Sequence, residues 1–537
     1  MSHNSTLEKP LGAQISHMLK SRGVEVIFAI PGVHNIEMYR GLDEAGITPV
    51  LARHEQGAGF MADGYARATG QPGVCYLITG PGLCNAMTAL GQSYSDSVPV
   101  LAISSCLNPE DLGMGRGRLH EMKDQEAAAA TVCDWSHTAM DAPSAYRLID
   151  RAMMEFATRR PRPKHIQIPV NALAQRSAQA PETGVLPARP LAPPEQVAAV
   201  AEWLLGAERP LFIFGGGAIE GADAARALVE LTGAASICTV AGHGVIADNA
   251  PLAYGPILPR PDSVQEIAKA DLIVAVGTEL SETDLWRDRL GHEAPMIRVD
   301  LDPMVLADDH RADLPVLGDA GPFLEDLRAL LDGQSKRSTG WSQAEVIQAR
   351  ARFHLEADQE RPDILPICER LGPAIPDETM IFSDMTQFAY VANEVWPLDR
   401  PGHWHHPSGF GALGYALPAA IGGKIGRPDL PVLAIAGDYG FQFTLQELGV
   451  AVELGLALPI LLWDNDKLKE IEDCMVGRQI APGSASVRNP DFCALARAYG
   501  AFAEKPGSLA ALIETVNAAF TADGPTLIHV TPEVLRG

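Results

Sequence analysis

Long apolar runs are missing from this chain: no uninterrupted stretch reaches the roughly 20 residues that a membrane span requires. The opening segment, Met1 to Pro10, is polar and lacks the apolar core of a secretory signal. Positive charge is also scarce. With 42 Lys and Arg against 67 Asp and Glu, the formal net charge is −25, which argues against nucleic acid or an anionic membrane as a partner. The eight cysteines (75, 84, 106, 133, 238, 368, 474 and 493) form no CxxC pair and no ligand-like spacing. They read as buried free thiols in a reducing cytoplasm, with no zinc or redox site. Short-period repeats and low-complexity tracts are absent too. What is left, 47% hydrophobic and 20% charged residues, is a composition ordinary for a soluble globular enzyme.

At 537 residues the chain has room for about three domains of ~150 residues each. Strand-like apolar runs alternate with helix-like segments throughout: Val24 to Ala29, Val74 to Thr79, Val98 to Ser104, Leu211 to Phe214, Leu272 to Val276 and Val432 to Ala436. That alternation predicts α/β domains, each a doubly wound parallel sheet covered by helices. Pro181 to Pro194 and Gly333 to Ser342 read as linkers, giving domains over 1–182, 190–333 and 343–537. In the middle segment Phe214-Gly215-Gly216-Gly217-Ala218 follows a strand. Its glycines do not match GxGxxG, and a tight strand–helix turn needs glycine in any case.

The strongest chemical signal is Ala436-Gly437-Asp438-Tyr439-Gly440, with Asn465 following 27 positions after Asp438. The pattern predicts a strand, a turn over Gly437 to Gly440 and a helix from Phe441 to Leu454. A second strand, Ala457 to Trp463, would bring Asn465 beside Asp438. Such a turn is a natural diphosphate cradle, because unpaired N–H groups and the helix dipole favour anions. One carboxylate, one amide oxygen, a backbone carbonyl and two phosphate oxygens suit octahedral Mg²⁺. The second signal runs from Arg53-His54-Glu55-Gln56-Gly57 to Tyr65-Ala66-Arg67, followed by Thr79-Gly80-Pro81-Gly82, Asn85 and Asp96-Ser97-Val98-Pro99.

Together these segments resemble the two halves of the cofactor site in thiamine diphosphate (ThDP) enzymes of the acetolactate synthase-like family. The resemblance covers Ala13 to about Thr531. It implies a pyrimidine-binding domain, a central Rossmann-like domain and a diphosphate-binding domain. It further implies that Glu55 binds N1′ of the aminopyrimidine and shares its proton, and that Gly80 and Asn85 line that half. In His406-Pro407-Ser408-Gly409-Phe410-Gly411-Ala412-Leu413-Gly414, Leu413 would be the wedge that bends ThDP, and the Gly411 carbonyl would accept its 4′-amino group. Gln387 would reach the diphosphate beside Gly437, Asp438, Tyr439 and Gly440. Asp438, Asn465 and the Lys467 carbonyl would hold Mg²⁺. Two positions depart from the family pattern: Tyr439 replaces a glycine and Asp464 an asparagine. Neither is a metal-ligand position, although Tyr439 must turn its side chain away from the phosphate. FAD, which some relatives bind in the central domain, is not favoured here. The family's shared sites imply a homodimer or homotetramer, and the expected compartment is the cytoplasm.

The same resemblance implies decarboxylation of a 2-oxo acid through a C2 ylide and an enamine. Val33 stands where pyruvate decarboxylases carry an acid, and their adjacent histidine pair is missing from Ser104 to Gly117. Acetolactate synthases carry Phe-Gln-Glu where this chain has Leu119-His120-Glu121, and an apolar residue where it has Glu470. The combination, which includes Pro31-Gly32-Val33-His34 and Thr283-Asp284-Leu285-Trp286-Arg287, resembles the branch acting on 5-guanidino-2-oxopentanoate (2-ketoarginine). A guanidinium calls for a facing carboxylate, and Glu470 and Glu121 are the candidates. His34 and His120 are the candidate proton donors. An acetolactate synthase-like carboligase is the alternative, and a non-catalytic homologue is a third reading.

Overall fold

The structure, a computed structural model, describes residues 8–335, 337–486 and 488–536. Three six-stranded sheets, each parallel throughout, follow one another along the chain. The first runs, in spatial order, Thr48–Leu51, Val26–Ala29, Gly73–Leu77, Val100–Cys106, Lys164–Pro169 and Trp135–Thr138. The third runs Trp404–His405, Met380–Ser383, Val432–Gly437, Pro459–Trp463, Thr526–Val530 and Phe502–Glu504. Numbered within each sheet, both follow the order 2-1-3-4-6-5. The central sheet instead follows 3-2-1-4-5-6, the dinucleotide-fold order.

Local sequence explains these elements. Central strands such as Val100–Cys106, Leu272–Val276 and Pro459–Trp463 are buried along their whole length, as strands covered on both faces must be. Pro49 lies in Thr48–Leu51, an edge strand, where a missing N–H costs no central ladder bond. The helix of the glycine–aspartate motif starts at Asp438, three residues before the expected Phe441, and the expected turn over Gly437 to Gly440 is not present. Asp438 is favourable in a first turn because it offsets the partial positive charge there. The helical run then tightens into a 3-10 turn over Leu445–Glu447 before continuing as Leu448–Glu453. The cysteine expectation also needs correction: Cys84 and Cys474 are exposed, and six are buried.

One core cluster joins the facing sides of the first and third sheets, from Phe28 and Phe60 to Tyr415, Leu448 and Leu462. At its centre helix Glu55–Thr69 crosses helix Ala416–Gly426 with almost nothing between the backbones. A Cβ at Gly64 would sit 2.0 Å from the Ala419 carbonyl oxygen, and one at Gly422 would sit 1.9 Å from that of Met61. Beside the crossing, Arg67 is held at 2.7 Å by both Asp63 and Asp96, and the Tyr415 hydroxyl donates to Asp63. Burying charge is costly unless it is paired, and here each group has its partner.

Candidate functional site

Two clusters of polar residues form at the C-terminal ends of the first and third sheets, where parallel α/β folds place their ligands. In the third sheet, Asp438 follows strand Val432–Gly437 and is buried. Asn489 donates one amide to both Asp438 (2.7 Å) and Asp464 (2.9 Å). Asp464 also contacts His529 Nε2 at 2.7 Å and accepts the Asp466 N–H at 3.0 Å. Burial and the neighbouring Asp464 charge push the Asp438 carboxyl up to about 6. For Asp464 burial works in the same direction, but His529 and the Asp466 N–H outweigh it and hold that carboxyl below its usual range. Two buried carboxyls so close favour a cation between or beside them.

Asn465 lies one residue beyond, on a tight turn in which Asp466 takes a left-handed conformation (φ 61°). Its amide donates to Gln387 Oε1 at 3.4 Å, which leaves the Asn465 oxygen free to act as a ligand. Gln387 in turn donates to Glu470 at 3.1 Å. Glycine is required around this cradle: a Cβ on Gly437 would lie 2.9 Å from Thr386, and one on Gly440 would lie 3.0 Å from Asp384. Tyr439 directs its ring along the helix onto Phe443, edge to face at 5.5 Å between centroids. Lys467 pairs with Ser486 in an isolated bridge, and its ammonium contacts Glu472. Among the described residues, no cluster of three or more His, Cys, Asp or Glu could hold a metal on its own. A cation here would therefore draw on the mixed set of Asp438, Asn465 and a backbone carbonyl, completed by its ligand's oxygens.

The Gly411–Leu413 segment is fastened from both sides. Asp384, which directly follows strand Met380–Ser383, accepts the Gly414 N–H at 2.9 Å, and burial pushes its carboxyl up to about 6. On the other side Gln92 accepts the Ala412 N–H at 3.1 Å, and Asp96 accepts that of Gly409 at 2.8 Å. Leu413 is half-buried, with a methyl near Gly440.

In the first sheet, Glu55 opens helix Glu55–Thr69 and is 8% exposed, and its Oε2 accepts from Asn85 Nδ2 at 2.9 Å. Gly82 packs against the same carboxyl. Gly80 (φ 71°) leaves room for the His120 carbonyl, which a Cβ would approach to 2.6 Å. Its N–H donates at 2.8 Å to Gln125, whose own amide donates to Ser104 and Ser105. His34 and His120, 86 positions apart, meet edge to face with 4.9 Å between ring centroids. The Nδ1 atoms of both are buried without a hydrogen-bond partner. Burial and the adjacent His120 keep the His34 imidazole below its ordinary pKa. His34 and His120 thus come together from two separate loops.

The two candidate carboxylates for a guanidinium are already occupied. Glu470 is gripped by Arg361 through two bonds of 2.8 and 3.1 Å. This pairing, with Gln387, holds its carboxyl below the usual range against the effect of burial. Glu121 accepts backbone N–H groups of Gly115, Arg116 and Arg118 and so shapes its own loop. Sequence reading also missed Asn489, His529, Asp384 and Gln125. Asn489 stands before Pro490, which signals only a turn, and nothing local marks the other three.

A cavity of about 800 Å³ lies where the central sheet faces the first, at the loops after the central strands. Gly216 and Gly217 line it, but a Cβ on Gly215 or Gly217 would collide with Gly277, so these two glycines serve close loop packing.

The chain matches three thiamine pyrophosphate enzyme domains: the N-terminal TPP binding domain over 10–128, the central domain over 197–327 and the C-terminal TPP binding domain over 384–530. It is 43% identical over 522 residues to the probable 2-ketoarginine decarboxylase AruI of Pseudomonas aeruginosa, covering 97% of this chain and 93% of that protein. It is 30% identical over 530 residues to the acetolactate synthase large subunit IlvB1 of Mycobacterium tuberculosis, covering 92% and 83%. Acetolactate synthase isozyme 2 large subunit of Escherichia coli is 27% identical over 538 residues, covering 98% and 96%.

Proposed function

The chain belongs to the thiamine diphosphate enzymes, and from that premise we propose that it is a 2-oxo acid decarboxylase whose substrate is 5-guanidino-2-oxopentanoate. The observation that carries this reading is the half-buried His34–His120 pair in the same loop cluster as Glu55, with both Nδ1 atoms buried and unpaired. A decarboxylase must return a proton to the carbon that loses CO₂, and an imidazole pair is suited to supply it. The 2-ketoarginine decarboxylase resemblance over nearly the whole chain supports the substrate.

The donor set suits ThDP with Mg²⁺. Asp438 and Asp464 gather buried negative charge that a cation relieves, and the Asn465 amide, which donates through its nitrogen to Gln387, keeps its oxygen for a ligand role. When bound, the cofactor supplies the nucleophilic carbon that adds to the 2-oxo carbonyl and takes up the electron pair released with CO₂. The chain does the rest. Asp438, Asn465 and the Lys467 carbonyl hold Mg²⁺ and with it the diphosphate, assisted by Gln387. Leu413 would pack against the bound cofactor, and the Gly411 carbonyl would accept a hydrogen bond from its amino group. Glu55, oriented by Asn85, exchanges a proton with N1′. Glu470 is the candidate for the substrate guanidinium, which would have to displace Arg361 from it.

Two copies are needed for a complete site. Within one chain, the Leu413 segment is tied to Gln92 and Asp96, at the end of helix Pro81–Ser95. Glu55 lies against Gly82 and Asn85, at its beginning. Seven to fourteen residues of helix correspond to roughly 10–20 Å, so within one chain Leu413 stands apart from Glu55, and a second copy would bring the two together. Exposed Val33, Ile36, Leu119, Phe410 and Phe443 flank the two halves and support such a contact.

A panel of 2-oxo acids scored for CO₂, aldehyde and carboligation product tests the reading. CO₂ and 4-guanidinobutanal from 5-guanidino-2-oxopentanoate are expected. Acetolactate from pyruvate, with CO₂ at half the pyruvate consumed, would instead establish the carboligase function of the acetolactate synthase relatives.

A further inference from the structure

We infer that Glu447 is a positioning residue for Glu55, reaching from the third sheet's helical run to hold the backbone that delivers the Glu55 carboxyl. This rests on the proposed exchange of a proton between Glu55 and N1′. Glu447 has no solvent exposure. Its two oxygens accept the Arg53 N–H at 3.0 and 3.3 Å, and the His54 N–H also bonds to it. These N–H groups lie two and one residues ahead of Glu55.

The sequence around Glu55 makes room for this grip. A Cβ on Gly57 would stand 2.3 Å from Glu447 Oε1 and 2.4 Å from its carboxyl carbon. The helix start that presents Glu55 is thus built around a second carboxyl. Burial, with the nearby Glu55 charge, pushes the Glu447 carboxyl up to about 7 even though the Arg53 and His54 N–H groups oppose this. A buried carboxyl costs stability, and an apolar side chain would fill the same space more cheaply. What the carboxyl adds is a fixed acceptor for the N–H groups of Arg53 and His54, the two residues that lead into the helix. Glu447 also lies nine residues along the same helical run from Asp438, so one element touches both halves of the chemistry.

The test uses full-length enzyme loaded with ThDP and Mg²⁺, and the variants Glu447→Gln, Glu447→Ala and Gly57→Ala, each with and without Glu55→Gln. A displacement of about 1 Å at a reacting group can cost ~100-fold. Glu447→Ala is therefore expected to lower kcat about 100-fold with KM within about threefold, and Glu447→Gln, which keeps an acceptor, about 10-fold. Gly57→Ala should approach the alanine value with the Glu447 carboxyl still present. ThDP affinity, read by fluorescence titration, should weaken several-fold in Glu447→Ala and recover in Glu447→Gln. In the Glu55→Gln background the same changes should alter the residual kcat less than about twofold, because residues acting as one unit are not additive. Full additivity, or wild-type kcat with only a lowered melting temperature, would overturn the inference. Wild-type kcat in Glu55→Gln alone would overturn the proton-exchange role beneath it, which separates the two failures.

Discussion

The first and third sheets share one strand order yet carry opposite chemistry at corresponding strand ends. After the first strand of each stand His34 and Gln387; after the second, Glu55 and Leu413. After the third stand Gly80 and Asp438, and after the fourth His120 and Asn465. On the third sheet Asp438, Asp464 and the Asn465 nitrogen are already paired, through Asn489, His529 and Gln387, and the Asn465 oxygen is left for a ligand. On the first, Glu55 has one side-chain donor and two imidazole nitrogens have none. A fixed ionic charge calls for a rigid, presatisfied frame, whereas a proton that must move calls for unspent valence. One topology serves both because function sits in the loops.

That contrast can be broken from either side. Asp438→Ala should have the largest effect, abolishing Mg²⁺-dependent ThDP binding in equilibrium dialysis and with it all turnover. Glu55→Gln should lower kcat by about 10²–10⁴-fold while ThDP binding stays within a few-fold of wild type. Loss of binding there would erase the distinction between the halves. His120→Ala and His34→Ala should each lower CO₂ release about 10–100-fold, again without changing ThDP affinity. Asn489→Ala leaves Asp438 and Asp464 without their shared donor. It should cost about 1–3 kcal/mol in chemical denaturation of the cofactor-free protein, and addition of Mg²⁺ should recover part of this. Tyr439→Gly should be the smallest: ThDP affinity within about twofold, and up to ~1 kcal/mol of stability lost to the helical glycine.

The sequence displayed one half of this site more openly than the other. Asp438 and Asn465 stand just past the ends of apolar strands, where the hydrophobic run stops and the glycine spacing marks a loop able to take a ligand. The start of the helix at Asp438 was not visible, because Gly437 and Gly440 suggest a turn and the favourable first-turn aspartate is a weak local signal. His34 and His120 could be named singly, but their pairing depends on how two loops fold over Gly80. Glu470 read as a free carboxylate because Arg361, 109 positions earlier, gives no hint that it returns to it. Glu447, Asp384 and His529 act through backbone or through other side chains, so only three-dimensional placement reveals them.

The glycine-lined crossing of helices Glu55–Thr69 and Ala416–Gly426 has a consequence for inheritance of defects. In the proposed two-copy enzyme, a chain lends Glu55 to one site and Asp438 with Leu413 to the other. Chains carrying Glu55→Gln and chains carrying Asp438→Ala can then rescue each other, since a mixed pair contains one intact site. A methyl at Gly64 would push the two helices apart and disturb both contributions of the same chain. Such a lesion would be carried into every site its chain helps to build, and neither of the other variants could complement it.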